Sequence, residues 1–165
     1  MTGIPSDPAD WEARVAAVWG AVTELSDETV LEMIDELAAE RGELDAAAVF
    51  ETASARDYLG RESEAEPLYR RAIELGLDPL RLPQAVIQLG STLRILGRAD
   101  EAIVVLGNWL EENPDHILAD TARAFLALAF VSAGHPSEGA ALAIHTLSTY
   151  LPQYSQAVGR YARGL

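Results

Sequence analysis

Three glycines, Gly60, Gly97 and Gly134, recur at a fixed spacing of 37 residues. Each closes one apolar-periodic segment and precedes another. The three junctions align as Tyr58-Leu59-Gly60-Arg61-Glu62-Ser63-Glu64-Ala65, Ile95-Leu96-Gly97-Arg98-Ala99-Asp100-Glu101-Ala102 and Ser132-Ala133-Gly134-His135-Pro136-Ser137-Glu138-Gly139-Ala140. Glycine lacks a Cβ and enters the left-handed turn that ends a helix without steric cost. The small residue that follows lets the second helix pack close to the first. Two helices per unit, repeated at this period, are the signature of an α-solenoid, in which each unit buries its apolar face on its neighbours. The expected fold is therefore all-α, with about nine helices.

The flanks extend the pattern. Asp7-Pro8 reads as an N-cap followed by proline at the first helical position. Trp11, Val15, Val18, Trp19, Val22 and Leu25 then share one helical face. Ser26-Asp27-Glu28 begins a second helix with Val30, Ile34, Leu37 and Ala38 as its stripe, and Gly42 stops it. Residues 1–43 thus form a helical hairpin, with the Trp11/Trp19 stripe in its core. Tyr154, Val158, Tyr161 and Leu165 mark a final amphipathic segment after Pro152, and a helix over 153–165 would cap the array. Pro67 lies inside the helix that follows Gly60, so that helix is expected to start late or to kink.

Composition removes several functions. The chain has no cysteine and no lysine, so thiolate metal sites, cysteine nucleophiles and lysine Schiff bases are absent. A net charge of −14 argues against nucleic acid and anionic membranes. No apolar run is long enough to span a bilayer. Met1-Thr2-Gly3-Ile4-Pro5 lacks the basic and apolar regions of a signal peptide. The expectation is a soluble cytoplasmic protein, and the alanine-, arginine- and glutamate-rich composition suggests a GC-rich bacterial source. The acid is concentrated in residues 1–80, with 19 acidic and 6 basic residues against 7 and 6 in the remainder. It reads either as an attractor for a basic partner or as the solvated faces of helices. No catalytic motif is present: there is no Gly-x-Ser-x-Gly elbow, no phosphate loop and no dinucleotide fingerprint. His116, His135 and His145 lack a second histidine at helical spacing, so no metal site is expected, at Asp115, His116 and Asp120 included. His145 is expected to be partly buried and His135 exposed. The chain is expected to be non-catalytic and to carry no cofactor.

The repeats resemble the tetratricopeptide repeat (TPR), a helix-turn-helix unit. Repeat two carries the clearest match, at Leu89-Gly90, Leu93, Gly97, Ala102, Leu106 and Pro114. Trp109 there replaces a typical alanine and suggests looser packing or a pocket. Repeat one matches at Ala53, Gly60, Ala65, Tyr69 and Ala72, with Pro79 two residues late. Repeat three matches at Leu126, Ala127, Phe130, Gly134, Ala140 and Pro152. The repeats are assigned to 44–80, 81–115 and 116–152, as in short three-repeat bacterial members of the family.

The resemblance implies a concave groove lined by the first helix of each repeat, holding a peptide or helix of a partner protein. The groove-facing positions would be Phe50, Glu51, Ser54, Asp57 and Tyr58 in repeat one, Gln84, Ile87, Gln88, Ser91 and Arg94 in repeat two, and Thr121, Phe125 and Leu128 in repeat three. Chaperone-binding members grip a C-terminal carboxylate with basic and amide side chains. Here Phe50, Ser54, Gln88, Thr121 and Phe125 stand at those positions, so that clamp is absent. Phe50, Tyr58 and Phe125 would be aromatic anchors. Glu51 and Asp57 would favour basic residues on the partner. Three alternatives stay open: Phe50 and Phe125 packed under the N-terminal hairpin, a homodimer or scaffold that self-associates through apolar faces, and a small-ligand or metal site in the groove.

Overall fold

The computed structural model describes residues 8–165. Among the described residues there are nine α-helices and no strand: α1 Pro8–Gly20, α2 Asp27–Arg41, α3 Ala46–Tyr58, α4 Glu62–Leu75, α5 Arg81–Ile95, α6 Ala99–Glu112, α7 Ala119–Ser132, α8 Pro136–Ser148 and α9 Ser155–Ala162. The readings of Met1 to Pro5 as an uncharged start and of Asp7 as an N-cap lie outside the described residues.

The three repeated turns are one device used three times. Gly60, Gly97 and Gly134 have φ values of 70°, 77° and 88°, all left-handed. After each, the next backbone N–H reaches back five residues: Arg61 to Arg56, Arg98 to Leu93 and His135 to Phe130, each at 2.8 Å. The glycine N–H bonds to the residue three before it. These paired bonds satisfy carbonyls that the end of the helix would otherwise leave open. Side-chain caps set other starts. Ser26 Oγ accepts from the Thr29 N–H at 3.2 Å and Asp45 Oδ1 from the Ala48 N–H at 2.9 Å.

The chain divides into two compact units, with the boundary between Ala85 and Val86 inside α5. In the first, α1 and α2 pair, α2 packs on α3, and α3 packs on α4. Trp11 is fully buried with Val15, Val18, Val30, Ile34 and Leu37, and its indole N–H donates to the Leu37 carbonyl at 2.8 Å. α4 does not start late: it begins at Glu62 with Pro67 inside it. Proline there removes the bond to the Ser63 carbonyl, at a residue that is exposed to solvent.

In the second unit α6 packs on α7, α7 on α8, and α8 on α9. Two glycines permit close approach. A Cβ on Gly90 would lie 2.6 Å from the Leu106 side chain, and one on Gly139 would lie 2.6 Å from the Ala127 carbonyl oxygen. Trp109 is buried, with its ring edge-on to His116 at 5.3 Å. His145 is exposed rather than partly buried.

Candidate functional site

On α3, helical spacing places Glu51, Ser54 and Tyr58 along one face and Phe50 and Asp57 beside it. The structure closes much of this face from within. Glu51 is buried, and its carboxylate accepts the Trp19 indole N–H at 2.8 Å and the Arg81 Nε–H at 3.1 Å. Tyr58 is half-exposed and lies edge-on to Trp19 at 6.1 Å. The Trp19 side chain of α1 therefore covers the Glu51–Tyr58 row. Phe50 is 5% exposed and packs against Tyr69, 6.1 Å between ring centres. The Tyr69 hydroxyl donates to Asp57 at 3.2 Å.

Two expectations change here. Phe50 is a core residue and not an exposed anchor. The cation expected opposite Glu51 is in the chain itself, as Arg81, while Asp57 is engaged by Tyr69. Arg81 is the hub: it also pairs with Glu12 of α1 and with Asp78 Oδ2 at 3.0 Å. Its guanidinium and that of Arg41 lie over the Trp11 ring, at 5.8 and 4.4 Å. Burial is the largest influence on Glu51 and raises its carboxyl above the ordinary value, although Trp19 and Arg81 pull it down. Burial, and then the Asp57 charge, raises the Tyr69 hydroxyl strongly. Asp78 would be raised by burial, yet the Arg81 side chain and two backbone N–H groups outweigh this and leave it lowered.

Arg81 carries this cluster but was not singled out in the sequence. A local signal existed, since Asp78 caps the start of α5 by accepting from the Leu80 and Arg81 N–H groups at 2.8 and 2.9 Å. Its pairings with Glu12 and Glu51 span 69 and 30 residues and leave no local trace.

The other candidate residues fall on both sides of the unit boundary. Gln84, in the first unit, is exposed, and its amide donates to the Leu80 carbonyl at 3.0 Å. In the second unit, Ile87 is buried, while Gln88, Ser91 and Arg94 are partly exposed. On α7, Thr121, Phe125 and Leu128 follow i, i+4, i+7 spacing and share a face. Thr121 is exposed, Phe125 half-buried and Leu128 50% exposed.

The histidines are in structural settings. His116 accepts the Leu118 N–H at 3.1 Å, and His135 lies 3.5 Å from Glu138. Asp120 accepts from the Tyr150 hydroxyl and pairs with Arg123 at 2.6 Å, which together, the tyrosine foremost, lower its carboxyl. Among the described residues no group of three His, Asp or Glu side chains could hold a metal ion, and no helix is long and apolar enough to cross a membrane.

Helical pairs joined by identical left-handed glycine turns define an α-solenoid repeat protein. A family model described as Tetratrico peptide repeat matches residues 46–165, most of the chain. The chain belongs to the tetratricopeptide repeat family. The match includes α9 and so runs past residue 152, where the sequence motifs end. No curated protein and no solved structure matches the chain.

Proposed function

We propose that the chain is a non-catalytic interaction module that binds a peptide or helix of a partner protein through the first helices of its repeats. Tetratricopeptide repeats are generally protein-interaction modules. The observation that carries the reading is the Thr121–Phe125–Leu128 row of α7, an apolar-centred stripe left accessible on the first helix of repeat three. Phe125 and Leu128 supply area to bury, and the amide of Gln88 and the guanidinium of Arg94 supply directional bonds in the same unit. The Glu51–Tyr58 row of α3 contributes less, because Trp19 and Arg81 occupy it.

Affinity capture from the native lysate tests this, comparing wild type with a folded T121R/L128R variant. Each captured protein is then purified and titrated against both. A partner that binds wild type and loses at least about tenfold in affinity for the variant, ~1.4 kcal/mol, supports the proposal. Equal affinity for both moves binding off α7. Capture of nothing but the chain itself favours the self-associating scaffold.

A further inference from the structure

A second surface lies on a different face of α3 from Glu51 and Tyr58. Within the first unit, α2, α3 and α4 enclose an open cavity of about 670 Å³. Ala38, Ala48, Val49 and Leu68 give it an apolar lining, and Leu44 stands at its mouth, 76% exposed. The volume is in the range of ligand-sized clefts and admits a few large apolar side chains.

The surround is acidic. On α2, Glu28 and Glu32 share the face of Asp35 and Ala39 by helical spacing, and Glu43 follows in the loop that lines the cavity. On α4, Glu64 is one turn before Leu68. The charges nearest the cavity cancel in pairs: Asp35 with Arg56 at 2.5 Å and Arg71 with Glu74 at 3.7 Å. Glu28, Glu32, Glu43 and Glu64 pair with no arginine among the described residues, so what faces an incoming molecule is net negative. Apart from the Gly42–Leu44 loop, the walls are helices whose backbone groups already bond internally, and no strand edge is open to an extended segment. An occupant must satisfy its own backbone, as a helix does.

We propose that this α2–α3–α4 groove docks a basic amphipathic helix. Apolar anchors spaced i, i+3 or i+4, i+7 would enter between Leu44 and Leu68, and flanking lysines or arginines would meet Glu32 and Glu43 on one side and Glu64 on the other. The assignment uses none of the α7 residues and stands or falls separately from binding there.

The probe is a fluorescein-labelled synthetic peptide of about 18 residues, long enough to form a helix on binding, with one leucine face flanked by lysines. Its mate carries glutamate in place of each lysine. Fluorescence anisotropy is recorded with the full chain. The expected result is saturable binding of the basic peptide alone, at least about tenfold weaker for L44E and for E32K/E43K. Its salt dependence should flatten in E32K/E43K. E111K/E112K, an equal charge change on α6, should alter it little. All substituted positions are exposed, and circular dichroism checks the fold. Equal binding of the acidic peptide, wild-type affinity in both groove variants, or no saturable binding would each overturn the proposal. A wild-type dimer that L44E converts to monomer, seen by sedimentation, would give the groove to a second copy and likewise overturn it.

Discussion

Replacing Arg81 by methionine removes the cation from a cluster of three carboxylates and keeps most of the side-chain volume. Glu12 and Asp78 are 44% and 38% exposed, so water compensates them at little cost. Glu51 differs: its side chain is 7% exposed, and the Trp19 N–H would be the remaining donor among the bonds described. Stripping the partner from a buried charge costs about 3–5 kcal/mol. Protonation of Glu51 caps that cost, because its carboxyl is already raised by burial and loses a lowering influence with Arg81. The native variant therefore takes up a proton more readily than its unfolded chain. Its charge penalty is full above the raised value and fades as pH falls toward the ordinary 4.5. We expect R81M to lose about 3 kcal/mol at pH 8 and about 1 kcal/mol near pH 5, relative to wild type at each pH. The assay is urea unfolding read by tryptophan emission, since Trp11 and Trp19 both belong to α1. R81M/E51Q, which has no charge to strand, should recover about 1–2 kcal/mol of the pH 8 loss. A loss equal at both pH values, with no recovery in the double variant, would refute the account.

Other substitutions test the packing and the site. G139A should destabilise by about 1–3 kcal/mol, because its Cβ meets a backbone carbonyl that cannot turn aside, whereas G107A should stabilise by about 0.5–1 kcal/mol, having nothing within 4 Å; opposite shifts in urea midpoint check the pair. F50A should cost about 3–5 kcal/mol and L128A at most about 0.5 kcal/mol, and comparable losses would mean that the two residues are not core and surface respectively. D78N keeps a capping oxygen but loses the charge facing Arg81, and should cost at most about 1 kcal/mol at pH 7. The Asp78 carboxyl is lowered, so the stability it adds is present above its ordinary 3.8 and is lost as pH falls through the folded value. The wild-type advantage over D78N should therefore vanish in urea melts at strongly acid pH.

What the sequence made legible was local. The bond that closes each glycine turn spans five residues, so Gly60, Gly97 and Gly134 announce their helix ends without help from the rest of the chain. The Ser26 cap and the Trp11 stripe are equally short-range. The site was harder because exposure is decided by what arrives from elsewhere. Phe50 and Phe125 look alike in the sequence, yet Tyr69 and the surrounding helices bury the first and leave the second partly open. Glu51 reads as a surface acid until Trp19, 32 residues earlier, and Arg81, 30 residues later, meet over it.

That outcome redistributes the acidity of the N-terminal half. Nineteen carboxylates precede residue 81, and the two first marked as partner-seeking, Glu51 and Asp57, are satisfied within the fold. Fixed internal pairs attract nothing from solution, since the field outside is set by charges left uncompensated. They include Glu28 and Glu32 on α2, Glu43 in the loop after it and Glu64 at the start of α4, beside an apolar hollow that no described residue fills. Solvated helix faces alone would explain the acid but not the hollow, and a packing defect would explain the hollow but not an exposed Leu44 at its mouth. One basic, apolar-striped helix accounts for both. The sharpest discriminator is therefore the double change that keeps the hollow and reverses the rim. If E32K/E43K binds the basic peptide as wild type does, acidity and cavity are unrelated and the N-terminal charge is no more than a solvated surface.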